Sequence, residues 1–65
     1  MRIDRVKLIA EMARQNLKVT DLASKAGISR VTITAARSGK SIGGNTAGHI
    51  ARALGVDVTE LLEDE

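Results

Sequence analysis

Gly27-Ile28-Ser29-Arg30-Val31-Thr32-Ile33-Thr34-Ala35-Ala36-Arg37-Ser38-Gly39 reads as a short helix, about 29–38, held between two glycines. Ser29 is placed to cap its start, because a hydroxyl at that position accepts from an orphan N–H of the first turn. Gly39 is placed to end it, since the residue after a helix often needs φ > 0. The core side is thin: Ile33 and Ala36, three apart, with Ile28 leading in. The outward face is Arg30, Val31, Thr34, Ala35 and Arg37. It carries two cations, no acid and a smooth middle. An ordinary surface helix mixes both signs of charge there; a helix that slides into a DNA groove has this surface.

Working back, Val19, Leu22, Ala23 and Ala26 share one face of a helix over about 19–26. Lys18 is a poor cap, and Thr20 would cap a helix one turn shorter. Only Gly27-Ile28-Ser29 separates this helix from the next, and two short helices joined by such a turn form a helix-turn-helix. Upstream, residues 4–15 read as helix 1. Val6, Ile9 and Ala13, together with Leu8 and Met12, give it a broad apolar stripe. Asn16 suits the left-handed residue that ends it, and Leu17 turns inward. Downstream, Lys40-Ser41-Ile42-Gly43-Gly44-Asn45 reads as a flexible loop. Helix 4 follows over about 46–54, with Ala47, Ile50, Ala51 and Leu54 inward. Gly48 within it costs about 1 kcal/mol relative to Ala unless a neighbouring backbone packs close. Gly55 ends helix 4. Asp57-Val58-Thr59-Glu60 has capping-box spacing and opens helix 5, about 58–63, with Leu61 and Leu62 as its apolar residues. The chain is therefore expected to be all-α, five short helices and no strand, one domain over 1–65.

The 65 residues include no Phe, Tyr, Trp, Cys or Pro. Such a chain builds a small aliphatic core, whose net stability rarely exceeds about 3–5 kcal/mol. Without Cys there is no disulfide or thiolate metal site, and a single His argues against zinc. No metal and no cofactor are expected. No apolar run approaches the roughly 20 residues of a membrane span, and the N-terminus lacks a signal-peptide apolar region. The expected location is cytoplasmic. Residues 1–56 hold all ten Lys and Arg against Asp4, Glu11 and Asp21, a net of +7, while residues 57–65 carry −5. A basic body with an acidic C-terminal end suits an anionic partner; an ordinary solvated surface is the alternative.

The order and spacing of these segments resemble the lambda-repressor and Cro-like helix-turn-helix family, also called XRE-like. The residues that carry the resemblance are Leu17, Leu22-Ala23, Gly27-Ile28-Ser29-Arg30, Thr32-Ile33-Thr34 and Gly39. Ile50-Ala51-Arg52-Ala53-Leu54-Gly55-Val56 and Leu61-Leu62 match the family's closing segment. The match covers about residues 8–62. It implies a five-helix domain whose third helix enters the major groove, usually as a dimer on a two-fold operator. By position Arg30, Val31, Thr34 and Ala35 match base-facing residues, with Thr32 beside them. Ser29, Ser38, Lys40 and Ser41 match positions that commonly meet phosphates. Three departures stand out. Val19 stands where the family often has a DNA-contacting Gln. Met12 and Arg37 stand where it often pairs an Arg with a Glu. Val31 and Ala35 are apolar where amides or charges are frequent.

Each site residue has a second reading. Arg30 is suited to grip guanine O6 and N7 with two bonds; the alternative is a solvated Arg that the positive end of the helix dipole disfavours. Val31 and Ala35 suit thymine methyls or simply leave room. Thr32 and Thr34 either meet DNA or are half-buried helix residues. Arg37, standing at the family's acidic position with Met12 in place of its helix-1 partner, has no counterion from the pair and reaches solvent or a phosphate. Lys40, Ser41, Gly43 and Asn45 hold phosphates through side chains and N–H groups, or form only a mobile loop. His49 reads as a partly exposed helix residue. No catalytic set can be assembled from one His and no Cys, and no enzyme activity is expected. The expectation is a small double-stranded DNA-binding transcriptional regulator, a Cro-like repressor acting as a homodimer, with no small-molecule ligand. The dimer contact would come from Val56, Val58, Leu61, Leu62 and Ile42. The rival is a protein-interaction module on the same fold, an antitoxin-like or repressor-partner subunit.

Overall fold

A computed structural model describes residues 2–63; Met1, and the Asp64 and Glu65 of the acidic end, lie outside the described residues. Four α-helices follow in order, α1 (Arg5–Arg14), α2 (Val19–Ala26), α3 (Arg30–Arg37) and α4 (Gly44–Leu54), then a single 3-10 turn at Val58–Glu60. Asp4 caps α1, its Oδ1 accepting from Val6 N at 2.9 Å and Lys7 N at 3.3 Å. Asn16, at φ 58, ends it. At the start of α2 the expected poor cap is compensated from the next turn: the Asp21 carboxylate accepts from Lys18 N at 2.9 Å. Among the described residues no helix is long and apolar enough to cross a membrane.

The core is aliphatic. Leu8, Met12, Leu22, Ala23, Ile33, Ala36, Ala47, Ile50, Ala51 and Leu54 are buried, and Leu17 and Val19 pack against them. α2 packs against both α3 and α4, and α1 against α3. Only the Leu8–Met12 row of α1 enters it. Val6 and Ile9 are 69 % and 41 % exposed, which corrects the broad stripe expected there. The two apolar rows of α1 point about 110° apart around the helix, and a core this small has room for one.

Three further corrections follow from one structure that helical periodicity does not reveal. Ile3 is fully buried and pairs with Leu62 in an antiparallel bridge, while Arg2 pairs with Ser41. As expected, the described residues form no strand; these two isolated bridges are what the sequence did not suggest. Asp4 N donates to Leu61 O at 2.7 Å and Glu63 N to Arg2 O at 3.2 Å. That pairing draws the last residues out of helical geometry, so helix 5 is one 3-10 turn rather than an α-helix over 58–63. Its capping box is present: Glu60 accepts from Asp57 N and Asp57 from Thr59 N. Leu61 is fully buried and is removed from the expected dimer surface; Val56, Val58, Leu62 and Ile42 remain half-buried. The 40–45 segment is shorter and better anchored than a flexible loop, with Ser41 bridged and Gly44 and Asn45 already inside α4. Gly48 meets no close backbone.

Candidate nucleic-acid interface

α3 is fixed at both ends. Ser29 Oγ accepts from Thr32 N at 3.2 Å and shares a 2.9 Å hydrogen bond with Thr32 Oγ1. At the other end Gly39 takes φ 83, donates to Ala36 O, and lets Lys40 N reach back to Ala35 O at 3.1 Å. This double bond is a Schellman closure, which needs the left-handed residue that glycine supplies without strain. It sets Lys40 at the C-terminal rim of the helix. Gly27, at φ 72, does the same for α2, with Ile28 N bonded to Ala23 O. The angle between α2 and α3 is therefore held by backbone bonds on either side of a three-residue turn.

One open depression runs along this pair, lined by Val19 and Thr20 of α2, Arg30, Val31, Thr34, Ala35 and Ser38 of α3 and its cap, and Lys40. No acid is among these residues. Arg30 and Lys40 are exposed, and among the described residues neither has an ion-pair partner. Arg30, Val31, Thr34 and Ala35 are thus brought together as the sequence implies. Thr32 is half-buried and tied to the Ser29 cap, off the floor of the depression. Ser38 Oγ donates to Thr34 O at 2.9 Å, so its proton is already committed to the helix. Gly43 and Asn45 are exposed at the start of α4, whose cap, Gly43, supplies no side chain.

Arg37 sits elsewhere. It lines a second depression with Ile9, Met12, Ala13, Leu17, Lys18 and Val19. Its Nε is buried and donates to no described group. Arg37 and Met12 thus line the same depression, and the Arg37 side chain is half-buried there. Val19 and Thr20 are the residues that sequence reasoning did not assign to the site. Helical periodicity put Val19 in the core, which it does partly join. The sequence signal at Val19 was a departure: it stands where the resemblance has a DNA-contacting Gln, a contact that Val cannot make. Among the described residues no cluster of His, Cys, Asp or Glu could hold a metal.

A family model described as the Cro/C1-type HTH DNA-binding domain matches residues 7–65. No curated protein matches the chain. Among solved structures, native PhpD with cadmium atoms is similar at 26 % identity and a TM-score of 0.84. A variant of hydroxyethylphosphonate dioxygenase is similar at 28 % and 0.85. Each match covers 98 % of this chain and 14 % of the other, so the chain spans about a seventh of the length of these relatives.

Proposed function

The chain belongs to the Cro/C1-type HTH DNA-binding domain family, and on that premise we propose that it regulates transcription by occupying a specific double-stranded operator as a homodimer, in the manner of a small Cro-like repressor. The observation that carries the reading is the depression itself. It has the two cations Arg30 and Lys40 and no acid in its lining, and α3 supplies the largest share of it. α3 enters the major groove, Arg30 and Thr34 meet base edges, and Lys40 meets a phosphate. Backbone N–H groups at Gly43 and Asn45 supply further phosphate contacts. The domain works in the cytoplasm, with no catalytic step and no cofactor; occupancy is its output. One short helix reads few base pairs, so useful affinity comes from two copies with their reading helices about 34 Å apart.

Duplex binding measured against salt tests this. A DNA binder loses affinity steeply, log K falling by about 0.9 for each phosphate contact per decade of salt. Footprints at saturation should cover two half-sites one helical turn apart. The rival reading, a protein-interaction module, has the exposed Val6 and Ile9 of α1 in its favour. It predicts weak duplex binding with a shallow salt slope, and that result would replace the operator reading.

A further inference from the structure

We propose that this domain selects its site partly by the 5-methyl group of thymine, with Val31 as the residue that contacts it. The inference rests on the DNA-binding reading above. Residues four apart on a helix lie one above the other, so α3 turns two parallel rows toward the depression. One row, Arg30, Thr34 and Ser38, carries polar groups. The other, Val31 and Ala35, carries only methyls.

Val31 is 78 % exposed, more than any other large hydrophobic among the described residues, and it is not part of the core. Its isopropyl group can neither donate to a purine acceptor nor accept from the amino groups of adenine or cytosine. The one feature of the major groove that suits it is the thymine methyl. Val19 adds to the same apolar wall from the first residue of α2. Charge identifies what carries that methyl. The depression has Arg30 and Lys40 and no carboxylate in its lining, which fits a polyanion, and on the DNA-binding reading that polyanion is a duplex. The occupant is therefore duplex DNA presenting thymine, with Arg30 and Thr34 available to hydrogen-bond neighbouring base edges.

The test separates the methyl from every other feature of the base. A bound site is first selected from a random duplex pool. Each thymine in it is then replaced singly by deoxyuridine, which keeps all hydrogen-bonding groups and removes only the methyl. At one or two thymines per half-site the replacement should weaken binding of the full chain about fourfold. In Val31→Ala the thymine-to-uracil ratio at those positions should fall towards one, with the melting temperature retained because Val31 is not buried. A ratio of one at every thymine overturns the proposal. So does a selected site without thymine in the protected stretch, or an unchanged ratio in Val31→Ala. Failure to bind any duplex at low salt overturns both this and the operator reading, and is distinct from a bound duplex indifferent to uracil.

Discussion

The two cations of α3 differ in what surrounds them, and so in what their removal does. Arg30 is exposed on the depression. Arg30→Ala should lower affinity for the best site by about 1–3 kcal/mol and relax choice at one base position, whereas Lys40→Ala should weaken all sequences alike and flatten the salt slope by about one unit. Duplex titrations across single-base variants check this; unchanged preference in both variants would make Arg30 a phosphate contact. Arg37 has a buried Nε without a described partner, and an unsatisfied buried donor costs about 1–3 kcal/mol. Its place at the negative end of α3 returns part of that, about 0.3–1 kcal/mol. Arg37→Met fills the same depression without the donor, and thermal melts should show it within about 1 kcal/mol of the parent or above it. A larger loss would mean that the guanidinium is bonded in solution. The face of α3 was legible in the sequence because spacing and caps fixed which residues point out. The resting place of Arg37 was not, because a long side chain has several directions and only the neighbouring α1 chooses among them.

At the scale of elements, glycines and caps set the boundaries. Those signals are local, which is why α2 and α3 could be read almost to the residue. α4 began earlier than expected because Gly43-Gly44 reads as a loop unless tertiary packing overrides it. Gly48 lies inside α4 with nothing within 4 Å of where a Cβ would stand. Gly48→Ala should therefore stabilise the fold by about 0.5–1 kcal/mol, visible in denaturant unfolding; a loss would reveal a neighbour closer than the structure places it. Asp57 caps the 3-10 turn, and the Thr59 backbone N–H, then the Thr59 hydroxyl, hold its carboxyl below the usual carboxylate range. A carboxyl lowered in the folded state stabilises fully above its unfolded pKa, and that contribution is lost as pH falls through the folded value. Asp57→Ala should thus melt lower than the parent near neutral pH, with the gap narrowing as the pH falls below about 4. An equal gap at low pH would show that the cap does not depend on charge.

For the molecule as a whole, the fold class followed from helical periodicity, and what periodicity missed is the closure of the chain on itself. A lone Ile3 ahead of the first cap has no pattern to betray it, yet it is fully buried and paired with Leu62. The same gap explains the misplacement of Leu61, whose burial depends on a partner some sixty residues away in sequence. That bridge has a consequence in time rather than in energy. The turns between helices close over a few residues, whereas bringing Ile3 to Leu62 closes nearly the whole chain and carries the largest loop entropy in the fold. The helices should therefore assemble first and the ends meet after the rate-limiting barrier. Ile3→Val, a loss of about 0.5–1.5 kcal/mol, should then accelerate unfolding and leave the refolding arm of the chevron nearly unmoved. A slowed refolding arm would place the chain ends in the nucleus. Late closure also makes this seam the first to open, so amide exchange at Asp4 and Glu63, whose N–H groups donate across it, should outpace exchange in α2 and α4.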